Sequence, residues 1–158
     1  MSRWFDGPMR VYTLQRQQWI GRPVEGVFSF FSRAENLQEI TPRWLNFRIL
    51  SVDPPAVRCG TLIRYALRWR VLPVRWTTEI TRWDPPRSFV DEQISGPYKL
   101  WHHEHQFEPC DRGTMMRDTV RYELPFGVVG LLTHAVIVGR DVEGIFDYRE
   151  RRIRDLFA

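Results

Sequence analysis

The hydrophobic and polar residues in the middle of the chain alternate in short blocks. In the clearest block, the apolar side chains at positions 63, 65, 67 and 69 alternate with residues that are mostly arginine. A period of two is typical of a strand with one buried face and one wet face. Five other blocks lie between residues 47 and 124, and each ends near a proline. We therefore predict six successive strands in an antiparallel meander.

Hydrophobic residues with a helical spacing occur on either side of this meander. After Pro23, which suits a first helical turn, apolar residues recur at intervals of three and four over residues 24–31. A second short helix is predicted over residues 34–40, where Pro42 prevents its continuation. A long C-terminal helix is predicted from one stripe: Leu131, Ala135, Val138, Val142, Ile145, Arg149, Ile153 and Leu156.

The order of these elements predicts an α+β fold. A strand over residues 11–20 comes first, the two short helices follow, and the meander leads into the long helix. That helix must lay its apolar stripe on the sheet, so we expect the sheet to curl around it. A length of 158 residues suits a single domain, which we place at residues 10–158. Residues 1–9 are expected to form a loose lead-in, because Gly7 and Pro8 interrupt any pattern there.

Composition adds a cavity and a cellular compartment to this picture. Seven tryptophans in so short a chain favour either a large core or a ligand cavity walled with flat rings. The net charge is +4, and every basic residue except Lys99 and the histidines is arginine. We attribute this preference for arginine over lysine to genome composition. Cys59 and Cys110 lack the spacing of a metal or redox site and suit free thiols in a reducing cytoplasm. The sequence contains no pattern of a secretory signal or an integral membrane segment, so we expect a cytoplasmic protein.

Four segments carry a resemblance to a known superfamily: PVEGVFSFFSRAENLQEITP, SGPYKLWHHEHQFEP, GTMMRDTVRYELPFG and IFDYRERRIRDLF. With the order of elements, they resemble the START-like, helix-grip superfamily (SRPBCC) over residues 10–157. Its bacterial members include polyketide cyclase/dehydrase-like and coenzyme Q-binding START-type proteins. The resemblance implies a seven-stranded antiparallel sheet that grips the C-terminal helix, with a cavity for a hydrophobic or aromatic molecule between them. It implies no metal and no catalytic residue, since the superfamily has no universal catalytic motif.

The segment LWHHEHQFEP holds three of the four histidines of the chain. Strand alternation places Trp101, His103, His105 and Phe107 on one face, which we expect to point inward because it carries the bulky apolar residues. His102 is then expected to join Glu104 at the surface.

The next strand brings a carboxylate to the same interior face. Alternation places Asp118 inward, and residues directly opposite in an antiparallel pair share a face. If Phe107 lies opposite position 114, His103 lies opposite Asp118. If Phe107 lies opposite Met116, His105 does so instead. We prefer the first register, because it leaves the shorter loop.

The pairing of these groups supports four interpretations. We favour histidines and Asp118 that satisfy one another beneath a ligand pocket, since buried polar groups are usually paired. In decreasing order of preference, the others are recognition of a polar group on a ligand, acid-base catalysis and metal binding. We predict no metal site, because no third ligand is obvious beyond Asp118.

The predicted ligand-binding residues extend along the inner face of the sheet. They are Tyr65, Trp69, Trp76, Trp101, His103, His105, Met116, Asp118 and Tyr122. In the block over residues 88–95 the alternation is ambiguous; we assign Val90 and Ile94 to the core and leave Asp91 undecided. The glycines of LPFGVVG are expected near a cavity mouth.

These observations favour a protein that binds a small hydrophobic or aromatic molecule, without a cofactor. The alternative is an enzyme of the cyclase/dehydratase type, a lyase or isomerase, in which His103 or His105 and Asp118 move protons on a polyketide-like or other carbonyl substrate. We expect the arginines of the outer sheet face to be solvated and predict no nucleic-acid partner, because no basic groove with interleaved aromatics is evident. The ligand, the pathway and the oligomeric state stay open.

Overall fold

Seven antiparallel strands form one sheet in a computed structural model that describes residues 10–125, 129 and 137–158. The order across the sheet is β1-β7-β6-β5-β4-β3-β2. The strands are β1 (Tyr12–Ile20), β2 (Arg48–Asp53), β3 (Leu62–Trp69), β4 (Leu72–Asp84), β5 (Ser88–Ser95), β6 (Leu100–Cys110) and β7 (Gly113–Glu123). The predicted meander and the predicted first strand are both present, and β1 completes the sheet beside the last strand of the meander.

The helices follow the predicted order. Helix α1 spans Val24–Phe31, two short 3-10 helices span Ala34–Gln38 and Arg43–Leu45, and helix α2 spans Gly139–Leu156. Predictions for residues 1–9, for most of the loop after β7 and for the start of the long helix lie outside the described residues. Among the helices that the structure describes, none is long and apolar enough to span a membrane.

The sheet curls around α2 and holds it from both sides. From β1, the amide of Gln18 donates a hydrogen bond to the backbone carbonyl of Glu150, at 2.9 Å. From β3, the indole N–H of Trp69 donates to a carboxylate oxygen of Asp141, at 2.7 Å. Because β1 and β2 are the edges of the sheet and β3 lies beside β2, these bonds join α2 to opposite ends of the sheet.

Apolar residues pack in two clusters between the sheet and the helices. One cluster joins α1 and the C-terminal end of α2, through Val27 and Ile153, to the sheet residues Phe107 and Met116. The other joins the N-terminal half of α2 to β7. Burial of each large apolar side chain contributes roughly 1.5–3 kcal/mol. This packing leaves a cavity between the sheet and α2.

The hairpin between β6 and β7 determines the register at the histidine strand. Cys110 pairs with Gly113, which leaves a two-residue turn with Arg112 at a φ of 60°. Phe107 consequently lies opposite Met116, and His105 opposite Asp118. The preferred register was therefore wrong and the alternative is observed. The physical reason is that β6 continues two residues further than predicted, so the turn falls later in the chain.

Candidate functional site

Strand β6 directs two histidines into the interior. His103 and His105 are 4% and 5% exposed, and Phe107, on the same face, is 2% exposed. The predicted alternation along β6 is confirmed at these positions. Since β6 is flanked by β5 and β7, the two rings lie beside side chains of both neighbouring strands.

Asp118 of β7 contacts both histidines rather than one. Because an ionised carboxylate can only accept hydrogen bonds, Nε2 of His103 donates to Oδ1 of Asp118, at 3.0 Å. Nδ1 of His105 lies 2.9 Å from the same oxygen, without the alignment of a hydrogen bond. Asp118 is 6% exposed, so this contact is closed to bulk water.

Asp91 of β5 is a site residue that sequence reasoning left undecided. Nε2 of His105 donates to its Oδ2 at 2.8 Å, and Nδ1 of His103 lies 3.6 Å from the same oxygen. The available signal was its neighbour Phe89, which shares the inward face and stacks on His105 with ring centroids 4.1 Å apart. Ile94, which we had assigned to the core, is 56% exposed.

We call Asp91, His103, His105 and Asp118 the His–Asp cluster. The two imidazole rings lie with centroids 3.7 Å apart and an angle of 37° between their planes. On the helix side, the ring of Phe146 meets His103 edge-on, at 5.5 Å. The cluster is thus a polar network of four side chains enclosed by aromatic rings.

Burial and neighbouring charges shift the pKa values of the four cluster residues in different directions. Burial raises the pKa of Asp118 and of Asp91, but the adjacent histidines outweigh it and hold both pKa values below the ordinary range. Burial lowers the pKa of His105, yet its contacts with Asp118 and Asp91 raise that pKa above the usual value. Burial and the charge of His105 lower the pKa of His103. This pattern favours an imidazolium at His105 between two carboxylates, beside a neutral His103.

Arg149 of α2 faces the same region from the helix. It is 8% exposed, its guanidinium lies 4.9 Å from the ring centroid of Phe146, and its charge lowers the pKa of Asp91. Sequence reasoning placed Arg149 in the apolar stripe of the helix and gave it no role in a site. A charged residue within an otherwise apolar stripe was the available signal.

Outside the cluster, two residues that line the adjacent cavity carry buried donors without a partner. Nε of Arg149 and Nε1 of Trp76 find no hydrogen-bond acceptor among the described residues. An unsatisfied buried donor costs about 1–3 kcal/mol. Both residues line the cavity beside the cluster, so an oxygen atom of a bound molecule is a suitable partner.

The cavity beside the cluster has a volume of about 180 Å³. Asp91, His103 and His105 lie at its polar end. Its walls are mainly aromatic and include Tyr65, Trp76, Trp83, Phe89, Tyr98 and Trp101. Burial raises the pKa of Tyr65 and of Tyr98, so both phenols stay protonated at neutral pH.

A second cavity of about 250 Å³ adjoins the first. The two share walls formed by Leu45, Leu67, Trp76, Tyr98, Val142 and Ile145. Trp69 and Asp141 lie in the second cavity only. A modest movement of the shared side chains would join the two volumes.

Six of the nine predicted ligand-binding residues line one of these cavities. Tyr65, Trp76, Trp101, His103 and His105 line the first, and Trp69 lines the second. The other three do not contribute to either wall. Met116 packs in the core, Asp118 lies behind the histidines, and Tyr122 stacks on Tyr12.

The outward side of the histidine strand differs from the prediction. His102 lies 3.4 Å from Glu92, and Glu104 forms an ion pair with Arg82 instead of joining His102. The reason is that neighbouring strands bring charged partners directly opposite, whereas residues two apart on one strand are further from each other. The two cysteines are free, as predicted, and both are exposed.

Comparison with protein families identifies the chain. The model of the family described as "Polyketide cyclase / dehydrase and lipid transport" matches residues 20–144. The chain belongs to this family. Comparison with curated protein sequences found no significant match.

Solved structures similar to this polyketide cyclase/dehydrase family member share its fold. TTHA0849 from Thermus thermophilus is 21% identical, with a TM-score of 0.65 over 93% of this chain and 100% of that one. Ginseng major latex-like protein 151 from Panax ginseng is 12% identical, with a TM-score of 0.68 over 93% and 97%. A point mutant of norcoclaurine synthase from Thalictrum, in complex with a transition-state analogue, is 10% identical, with a TM-score of 0.68 over 96% and 99%. These similarities establish the helix-grip fold that the sequence predicted.

Proposed function

We propose that this protein binds a small hydrophobic or aromatic molecule between the sheet and α2, with an oxygen of that molecule directed to the polar end. The observation that carries the proposal is an aromatic cavity whose lining residues include two with buried, unpartnered donors. Binding pockets commonly combine apolar walls with a few convergent polar groups. The family match supports a ligand of this kind.

The volumes limit the size of the ligand. An apolar cavity of about 150 Å³ in another protein holds one benzene molecule. The first cavity, of about 180 Å³, therefore suits a single ring with a short substituent. A ligand that also enters the second cavity, of about 250 Å³, can carry two or three rings or a short acyl chain.

The unpartnered donors limit its chemistry. Arg149 offers a charged N–H and Trp76 a neutral one, and both residues line the first cavity. A carboxylate, carbonyl or phenolic oxygen that accepts from either donor recovers the cost of leaving that donor unpaired. We therefore infer an aromatic or lipophilic acid, or a carbonyl compound, in preference to a pure hydrocarbon.

The test is calorimetric titration with 2-naphthoate, which has an aromatic body and one carboxylate. Leu67→Trp fills the wall that the two cavities share, and Leu50→Trp adds the same side chain at a position of β2 that is 49% exposed. We expect Leu67→Trp to weaken binding by at least about tenfold, and Leu50→Trp to leave it within about twofold. Equal affinities in the two variants, or no saturable binding by the wild type, would contradict the proposal.

A second candidate function uses the His–Asp cluster for acid-base chemistry. The contact between the neutral His103 and Asp118 favours it, because a positioned carboxylate orients an imidazole that accepts a proton. In the dehydration of a β-hydroxycarbonyl compound, His103 takes the proton next to the carbonyl. His105 gives a proton to the departing hydroxyl, and water and an enone are released.

His103→Ala separates the two functions. In an enzyme it abolishes formation of the enone, followed by its ultraviolet absorbance, while ligand binding persists. In a binding protein it weakens binding only modestly, and the wild type forms no enone. A wild type that neither binds 2-naphthoate nor converts a β-hydroxycarbonyl compound would exclude both.

A further inference from the structure

We propose that the His–Asp cluster is a binding site for a divalent transition-metal ion, with His103 Nδ1, His105 Nε2 and Asp91 Oδ2 as its protein ligands. The proposal goes beyond the binding of an apolar molecule and does not depend on it. It rests on the positions of four side chains.

Each ring presents its two nitrogens to two different carboxylates. Nε2 of His103 and Nδ1 of His105 lie within 3.0 Å of Asp118 Oδ1. The opposite nitrogens, Nδ1 of His103 and Nε2 of His105, lie 3.6 Å and 2.8 Å from Asp91 Oδ2. One side of the ring pair is therefore held by Asp118, and the other side converges on Asp91.

The converging side has the donor set and the spacing of a metal site. One donor atom from each of Asp91, His103 and His105 lies within 4.8 Å of the others. Around a tetrahedral ion with bonds of about 2.0–2.2 Å, the ligand atoms are about 3.3–3.6 Å apart. Of the two Asp91 distances, 3.6 Å falls at the upper end of this range, and 2.8 Å is about half an ångström shorter than its lower end, so His105 and Asp91 must separate slightly around an ion. Two imidazoles and one carboxylate suit zinc, cobalt or ferrous iron.

Asp118 supplies the partner that metal-bound histidines usually have. A histidine that coordinates a metal generally donates its other ring N–H to a carboxylate or carbonyl, which holds its tautomer and orientation. Nε2 of His103 donates to Asp118 and Nδ1 of His105 lies 2.9 Å from the same oxygen, so the nitrogens that face Asp91 are the ones left to bind an ion. The ion replaces the proton that now links His105 to Asp91, and that proton leaves to solvent.

The site opens toward the aromatic cavity. All three proposed ligands line that cavity. His103 and His105 stand on β6, and Asp91 stands on the adjacent strand β5. A fourth coordination position is therefore available to water or to an oxygen of a bound molecule. With neutral histidines, the two carboxylates balance the divalent charge, and Arg149 leaves the region with one positive charge. An anionic oxygen ligand completes this balance.

The test is titration of the metal-free full chain with ZnCl₂ and CoCl₂ alone. It uses a Cys59→Ser/Cys110→Ser background, because both thiols are exposed and can bind zinc themselves. We expect one ion per chain by elemental analysis after dialysis. Bound Co²⁺ should show visible absorption of the intensity typical of four- or five-coordinate sites.

Variants locate the ion. His105→Ala should weaken zinc binding by more than about 100-fold, and Asp118→Asn by about 10- to 100-fold without changing the stoichiometry. His102→Ala is the matched control, since His102 stands on the same strand and faces away from the cluster; it should leave the affinity unchanged. If circular dichroism shows that His105→Ala is unfolded, Asp91→Asn takes its place.

The outcomes are distinct from those of the proposed function. Failure of the wild type to retain one ion per chain, or loss of zinc from His102→Ala but not from His105→Ala, would overturn the metal site. Binding of 2-naphthoate by metal-free protein would survive either result. The two proposals therefore stand or fall on separate measurements.

Discussion

Asp118 lies at the centre of the buried polar network, because one of its oxygens contacts both histidines. Its alternation within β7 predicted an inward carboxylate next to an imidazole, and the structure places it there. The sequence left Asp91 undecided, because β5 carries buried apolar residues on both faces. Val90 is 4% exposed and Phe89 on the opposite face is 6% exposed. The alternation of apolar and polar residues therefore did not identify the inner face of β5. Asp91 points inward because it lies directly opposite His103 on β6.

Replacement of Asp118 by asparagine tests the cluster as a structural unit. Asp118→Asn leaves the imidazolium of His105 with one carboxylate instead of two, in a site closed to water. We expect the free energy of unfolding to fall by about 3 kcal/mol, as measured by urea denaturation. Glu108→Gln is the control, because it breaks the exposed pair with Arg117 and should cost less than about 1 kcal/mol. Equal losses of stability in the two variants would show that the buried network stabilises the fold no more than an exposed ion pair does.

The same carboxylates determine how the free energy of unfolding changes at acid pH. The folded-state pKa values of Asp118 and Asp91 lie below the ordinary value of about 3.9. Their contribution is therefore complete above about pH 4 and is lost as the pH falls toward the folded values. In chelator-treated protein, we expect the free energy of unfolding to fall between about pH 4 and pH 2, by up to about 1.4 kcal/mol per pH unit for each carboxylate. Asp118→Asn should fall less steeply; a parallel slope would contradict the depressed pKa.

At the scale of elements, the strands were more predictable than the turns that join them. Hydrophobic period alone placed β3, β4, β6 and β7 correctly, since each has one apolar face against the helices. The register of β6 and β7 depends on a two-residue turn with Arg112 in the left-handed region. Arginine is not a residue that marks this conformation in a sequence. The turn position, and with it the partner of Asp118, could not be predicted from pattern alone.

The turn can be tested at Arg112. A β-branched residue is strained at a φ of 60°, whereas glycine adopts it freely. We expect Arg112→Val to lower the free energy of unfolding by about 1–2 kcal/mol, and Arg112→Gly to leave it unchanged or raise it slightly. Thermal denaturation of the two variants beside the wild type measures the difference. Valine as stable as glycine at this position would contradict the turn geometry.

At the scale of the whole molecule, the sheet and α2 enclose aromatic walls with polar groups at one end. The seven-stranded sheet, the long helix and six of the nine predicted binding residues were accessible from sequence, because aromatic residues alternate along the inner face. Arg149 was not, since its helical position predicted core packing. Arg149 comes near Asp91 because the sheet curls around α2. In that position, the unpartnered Nε of Arg149 indicates a ligand oxygen.

Arg149 should therefore determine selectivity for ligands rather than affinity for apolar surface. Arg149→Met keeps an unbranched side chain out to about the position of Nε and removes the guanidinium with its charge and donors. We expect it to weaken 2-naphthoate binding by at least about tenfold, since a hydrogen bond to a charged group contributes about 1.5–3 kcal/mol. Binding of 2-methylnaphthalene, which has no oxygen, should change by less than about twofold. Calorimetry on the two compounds provides the comparison, and an equal loss for both would remove Arg149 from the ligand site.

Histidine side-chain nitrogen NMR during titration with 2-naphthoate tests the central claim most directly. His103 and His105 line the cavity, and His102 on the same strand faces away from it. A ligand in the aromatic cavity should shift the ring nitrogens of His103 and His105 in a saturable way and leave those of His102 unchanged. If calorimetry detects binding while only His102 shifts, or while no histidine shifts, the ligand lies elsewhere and the account is wrong.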